Sequence, residues 1–347
     1  MIFGVYVPEL AEYPKQGNLN CVCAVINHIA SLLESDFLEA LRTPLRAFPG
    51  GGIIDNLSVG MTALTGTLTG AMAGGGKGIV STEDAAEQQR QAFLTALNNA
   101  EIATGYISEL ASEEIMRRLG RKVRIIQPAC NDTTTTNNKL TTGEHENLQS
   151  CVRELSSLSA RFKQLVEAGL NELNNSALKP EVKPMINDFQ DVPRDIDDVE
   201  FAEAEANEPW IQTVLINLHN LLENFKPRLS ASSFDQLVSY LTNTVASTLE
   251  RAVLKSKFTR LGGLQFDREL RALVNFLTAV TSSTVRDRFA RLHQINTVLN
   301  LEQPQEVLEY YGGNSSGVTW RLTPAEVRQV LQLRVDFRTD EIKRLNL

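Results

Sequence analysis

Apolar side chains recur along this chain every three or four positions, the spacing of one buried helix face, and not at every second position as in a half-buried strand. From Asn18 to about Ala47 the stripe is Val22, Val25, Ile29, Leu33, Phe37 and Leu41, stopped by Pro49 and Gly50 to Gly52. A second helix is expected from Ser81, whose Asp84 three residues on resembles a capping box, through Phe93, Leu97, Ile107 and Leu110 to about Leu119, with Gly120 as C-cap. Leu148, Val152, Leu155, Leu158, Phe162, Leu165, Leu170 and Leu173 then mark a long helix, a stripe of roughly 40 Å at 1.5 Å per residue.

Beyond a stretch rich in proline and acid, Pro209 stands where a first helical turn accepts proline, and Ile211, Leu215, Leu218, Leu222 and Phe225 carry the next face to Pro227. Ser233 is the expected cap of a helix bearing Leu237, Leu241, Val245, Leu249 and Val253 and closing before Gly262-Gly263. A very long helix is expected from Phe266 to Leu299, with a kink at Thr281 to Thr284. After a short helix at Val307 to Tyr311 and a Gly-rich turn, Thr323-Pro324-Ala325-Glu326 combines cap, proline and reciprocal acid, so a last helix starts there and runs toward Leu345.

The fold class this predicts is all-α: an elongated rod of stacked helical bundles with a compact C-terminal helical bundle. Val123 to Ile126 is the one strand-like fragment, and Asn131 to Asn138 reads as a loop. Three domains are expected: 1–80, a helical rod segment with a Gly-rich loop; 81–206, a helical bundle ending in an acidic linker; and 207–347, the C-terminal bundle.

Composition changes this picture little. Of 347 residues 42% are hydrophobic and 22% charged, an ordinary globular balance. The formal charge of −8 is local: Glu181 to Glu208 holds ten acids against Lys183 and Arg194, and the remainder is neutral. With Pro180, Pro184 and Pro193 in it, Lys179 to Asn207 is the strongest linker candidate. No broad basic field exists, which argues against nucleic acid as a partner. Asn56 to Gly76 is uncharged over 21 residues, with Gly66, Gly70 and Gly74 at the spacing of packed membrane helices. Its threonines and six glycines leave it too polar to span a bilayer, so it reads as a connecting loop and no transmembrane segment is expected.

Catalytic chemistry has no candidate, and neither a cofactor nor a metal is expected. Gly74-Gly75-Gly76-Lys77-Gly78 looks like a phosphate loop, but Ala71 and Gly78 break the pattern. His28, His145, His219 and His293 stand far apart, and Cys21, Cys23, Cys130 and Cys151 lack metal-ligand spacing, as idle thiols of a cytosolic protein do.

Three blocks carry a resemblance: Lys257 to Arg271 (KFTRLGGLQFDRELR), Val285 to Leu292 (VRDRFARL) and Thr319 to Leu331 (TWRLTPAEVRQVL), ending with Arg344 to Leu347. They resemble the C-terminal region of the conserved oligomeric Golgi complex subunit 4 family, one of the helical-rod vesicle tethers. The resemblance implies a non-enzymatic, peripheral subunit on the cytoplasmic face of the Golgi. Such a subunit acts in retrograde vesicle tethering and glycosylation upkeep, with the other complex subunits as partners. The opening at Met1 reads as the inside of a rod, so SNARE and Sec1/Munc18-type contacts of the family's N-terminal half are expected elsewhere. The rival reading is a generic cytosolic helical scaffold that binds a peptide or coiled-coil partner.

Candidate interaction residues follow from helix faces. Val285, Phe289 and Leu292 share the buried face, which turns Arg288 and Arg291 together toward another side. Arg291 either meets the capping-box acid Glu326 in a forked pair or the two stand as separate solvated charges. Tyr310, Tyr311 and Trp320 around the Gly-rich turn form either a partner-binding tip or the closure of a small core.

Overall fold

The computed structural model describes residues 19–47, 82–111, 142–207, 209–311 and 320–347. The Gly-rich stretch Asn56 to Gly76, the phosphate-loop look-alike within it, Val123 to Ile126 and the threonine run lie outside them. The described residues are helical, with one isolated bridge between Phe258 and Arg334 and no strand among them. Two compact units divide at Glu172/Leu173.

In the first unit α1 (Leu19–Leu32), a π-turn (Leu33–Phe37) and α2 (Leu38–Ala47) follow one another, with α3 (Thr82–Leu110) and α4 (Thr142–Leu173). The π-turn changes which residues are buried. Its wider loop lets Leu38, five positions after Leu33, continue the face onto Leu41 and Leu45, while Phe37 is only half-buried and stacks on Phe162 at 5.9 Å. On α3 the buried line is Phe93, Leu97, Ala100, Ala103, Ile107 and Leu110, and on α4 it is Leu148, Leu155, Leu158, Phe162 and Leu165. A polar contact sets the register of these two helices: the Ser108 and Ser159 hydroxyls lie 2.7 Å apart, and Ser159 also donates to the Thr104 carbonyl.

The second unit repeats the π-turn device. Leu173 and Leu178, five apart across the π-turn Asn174–Leu178, are both fully buried, and the line continues along α5 (Lys179–Asn187) through Val182 and Ile186 to Phe189. The stretch expected as a solvated linker is therefore part of this core. Pro180 fits, since it occupies a first-turn position, and Pro184 lies inside the helix. Its acids line the outside of α6 (Asp198–Asn207) and the turns before it, while α5 lies along α8 (Ala231–Val253). The second unit begins before the acidic stretch, at Leu173.

Three further boundaries differ from the sequence expectation, each for a visible reason. The cap of α8 is Ser230, whose hydroxyl accepts from the Ser233 amide at 3.1 Å, so Ser233 is the capped residue. Gly262-Gly263 does not end a helix but lies in the first turn of α9 (Arg260–Val280), capped by Thr259. The expected long helix is two: α9 stops at Val280, a 3-10 turn runs Arg286–Phe289, and α10 is Ala290–Leu299. Asp235 produces the break, taking hydrogen bonds from the Thr281 hydroxyl and from the Ser282 amide and hydroxyl.

The last stretch also divides. After the 3-10 turn Pro304–Glu306 and α11 (Val307–Tyr310), α12 (Pro324–Leu331) ends where Phe258 pairs with the next residues: its amide donates to Leu333 and its carbonyl accepts from Val335. Arg334, buried there, donates to the Leu299 and Leu301 carbonyls and lies over the Phe337 ring. A short α13 (Thr339–Lys343) follows. α7 (Pro209–Glu223) ends as expected before Pro227.

The centre of the unit is an aromatic group, Phe189, Trp210, Phe258 and Phe266, with the Arg194 guanidinium 4.2 Å above the Phe189 ring. Arg194 donates to Glu269 at 2.6 Å, and both side chains are 1% exposed. The Arg194 carbonyl accepts from the Thr259 amide at 3.0 Å and stands 1.8 Å from where a Cβ on Gly262 would sit. Only glycine fits there. Gly262→Ala is expected to cost about 3 kcal/mol or more and lower the melting temperature of the second unit by roughly 6 °C or more. Gly105→Ala on α3, where a Cβ would meet nothing within 4 Å, is expected to be neutral or to add up to about 1 kcal/mol. Thermal melts of both variants followed by circular dichroism check the contrast.

Candidate functional site

Three helix ends of the second unit meet at one guanidinium. Arg291 is in the first turn of α10, where the positive end of the helix dipole disfavours a cation. Glu250 is in the last turn of α8, where the negative end disfavours an acid. Together they satisfy each other: Arg291 Nε lies 3.1 and 3.3 Å from the two Glu250 oxygens, and Nη2 lies 2.9 Å from the nearer one. Nη2 also reaches Glu326 Oε1 at 2.7 Å, and Nη1 donates to the Arg321 carbonyl at 2.9 Å.

Glu326 has two tasks. Its other oxygen accepts from the Thr323 amide at 2.7 Å and from the Thr323 hydroxyl, while its own amide donates back to that hydroxyl, the reciprocal cap that starts α12. The Arg291 hydrogen bond first, and the Thr323 amide second, hold its carboxyl down to about 2. The same two carboxylates hold the Arg291 guanidinium above its ordinary range. All three side chains keep between 22% and 35% of their exposure, so water screens the network.

The segment leading into α12 is held along its length. Trp320 meets Tyr311 edge to face at 5.3 Å, Tyr311 Oη donates to the Leu322 carbonyl, and the Arg321 amide donates to Gln294 Oε1 at 2.8 Å. Tyr311 and Trp320 thus face each other, whereas Tyr310 is exposed. Arg291 and Glu326 are in direct contact. Arg288 is not part of the junction: it is exposed, and no described side chain pairs with it. Glu250 was not singled out in the sequence; its signal was an acid in the last turn of a helix, where a base is favoured.

No group of three or more His, Cys, Asp or Glu side chains able to hold a metal occurs among the described residues. Cys23 of α1 and Cys151 of α4 are free thiols in hydrogen-bond contact, and burial together with that neighbour pushes Cys23 up to about 11, where thiolate is scarce. What this geometry does is mechanical: it fixes where α8, α10 and α12 join.

Residues 93–329 match the family model "Conserved oligomeric Golgi complex subunit 4, C-terminal". The conserved oligomeric Golgi complex subunit 4 of Bos taurus is 43% identical over 339 residues, covering 96% of this chain and 41% of that protein. The Homo sapiens protein of the same name gives the same figures: 43% identity, 96% of this chain and 41% of that protein. The Arabidopsis thaliana one is 33% identical over 346 residues, 100% of this chain and 41% of that protein. The chain spans about two-fifths of the length of these relatives. The similarity extends well upstream of the blocks quoted from the sequence.

Arg291→Ala removes the bonds to Glu250, Glu326 and Arg321 at once and is expected to cost about 1–3 kcal/mol at neutral pH. Arg291→Lys, which keeps the charge and loses the fork, is expected to fall between variant and parent. The Glu326 contribution has a definite sign with pH. Its folded carboxyl titrates below the ordinary 4.5, so the stability is fully present above about pH 4.5 and is lost as pH falls toward 2. The gap in melting temperature between parent and Arg291→Ala should therefore narrow from pH 7 to pH 3. Equal melting temperatures at pH 7 would sink the structural role.

Proposed function

Because the chain belongs to the conserved oligomeric Golgi complex subunit 4 family, we propose that it acts as part of a Golgi vesicle-tethering complex. The observation that carries this reading is the 43% identity across 96% of the chain. In this reading the work is done by protein contacts and not by catalysis, in intra-Golgi retrograde transport and the upkeep of glycosylation. Its partners are the other subunits of that complex, and SNAREs and Sec1/Munc18-type proteins join through the remainder of a full-length subunit. It is held peripherally on the cytoplasmic face of the Golgi. No helix among the described residues is long and apolar enough to cross a membrane, which is compatible with peripheral attachment.

The physical form supports a role in contacts. Helices whose termini are tied by a charged junction present fixed outer faces, and a tether needs fixed faces more than a reactive cleft. In cells, the tagged chain is expected to bring down the other subunits of the oligomeric Golgi complex, identified by mass spectrometry, and to lie at the Golgi by fluorescence. Substitutions in α12 and α13 then map the contact. Recovery of only unrelated proteins would replace this reading with a general helical scaffold.

A further inference from the structure

Beside the Arg291 junction, the 3-10 turn Arg286–Phe289 is seated on the unit by Val285 and Phe289, which are 4% and 0% exposed. With both anchors buried, Arg286 and Arg288 stand outward, exposed, and no described side chain pairs with either. Arg321 joins them: it is exposed, and its guanidinium donates to the Asp287 carbonyl at 2.8 Å. On the far side Arg271 is 66% exposed and already paired with Asp267.

The acids around this ridge are mostly engaged. Glu250 and Glu326 are taken by Arg291, Asp267 by Arg271 and Asn296, and Asp235 by Thr281 and Ser282. Asp287, exposed between the two arginines, offsets one charge of three. The excess is felt at His293, whose imidazole is held below its ordinary range by burial first, then by Arg271 and Arg286. With the net −8 confined to Glu181–Glu208, these guanidiniums stand in the neutral remainder of the chain, with Asp287 as the acid between them.

We propose that the ridge of Arg286, Arg288 and Arg321 is a docking surface for an acidic, carboxylate-rich segment of a partner protein. Guanidinium forks match carboxylates in bidentate pairs, and three of them around one tight turn suit an extended acidic peptide. An anionic membrane fits less well. The exposed large apolar side chains among the described residues are Ile102, Tyr106, Val199, Ile216, Leu264, Leu308, Tyr310 and Val335, none of which lies on the turn or beside Arg321 in sequence. A peptide senses charge only within about a Debye length, roughly 8 Å at physiological salt, so acids farther away on the molecule do not oppose it. The inference deepens the reading of the chain as a protein that works by contacts, and it is tested on the purified chain alone. A failure here leaves the recovery of Golgi subunits from cells untouched, and the reverse holds.

The probe is a fluorescein-labelled decaglutamate peptide, titrated with the chain and followed by anisotropy at low and high salt. The parent should bind at low salt and release at high salt. The double reversal Arg286→Glu/Arg288→Glu should bind at least about tenfold more weakly with an unchanged melting temperature, since neither guanidinium pairs with a side chain among the described residues. Lys343→Glu on α13, the same type of reversal elsewhere, should bind as the parent does. Absence of binding by the parent, or equal binding by parent and double reversal, overturns the proposal. So does sedimentation with phosphatidylserine-containing vesicles that depends on the two arginines while decaglutamate fails to bind, which would make the occupant a membrane.

Discussion

The second unit depends on bringing one cation out of water. Arg194 leaves an acidic surface stretch and enters the aromatic centre, where Glu269 takes one nitrogen and the Phe189 and Trp210 rings lie 4.2 and 5.7 Å from the guanidinium carbon. Its Nε and Nη2 meet no hydrogen-bond acceptor among the described residues, so the ring faces carry part of the compensation that oxygen atoms would otherwise provide. A buried pair of this kind adds little net stability over apolar packing. Losing one member, however, strands the other charge at a cost of about 3–5 kcal/mol, so the pair dictates geometry.

From that point the arrangement propagates through close backbone approaches. The Arg194 carbonyl fills the space above Gly262 and binds the Thr259 amide, which fixes the start of α9. One residue on, a Cβ at Gly263 would come 2.8 Å from the Leu299 carbonyl, so the end of α10 lies against the same turn. Arg334 then gathers the Leu299 and Leu301 carbonyls from the other side, satisfying acceptors that the end of α10 leaves open. Two buried arginines thus hold both ends of the path that delivers Arg291 to Glu250 and Glu326.

What could be read from the sequence divides along the range of the interaction. Helix existence and the Thr323–Glu326 cap depend on neighbours three or four residues away, and these were legible. Even the π-turns had a local sign, the five-residue intervals Leu33 to Leu38 and Leu173 to Leu178, but a reading that admits only three and four passes over it. The acidic stretch was misread because charge and proline were weighed above the line Val182, Ile186 and Phe189, which was equally visible. Glycine at 262 and 263 looked like a stop because close approach by residue 194 or 299 cannot be seen locally. Glu250 had a local sign, an acid in the last turn of α8, but its partner Arg291 shows only when three helix ends converge.

Arg321 links the junction to the ridge beside it. Its carbonyl accepts from Arg291, its amide donates to Gln294, and its guanidinium donates to the Asp287 carbonyl. An acidic segment held by Arg286, Arg288 and Arg321 therefore binds a form of the chain in which residue 321 is where the junction needs it. By linkage, occupation of the ridge then stabilises the start of α12 against local opening, and loosening that start weakens the ridge by the same factor. The coupling requires no new conformation. One residue contributes backbone to one site and side chain to the other, and each site limits the freedom that the other would have to remove.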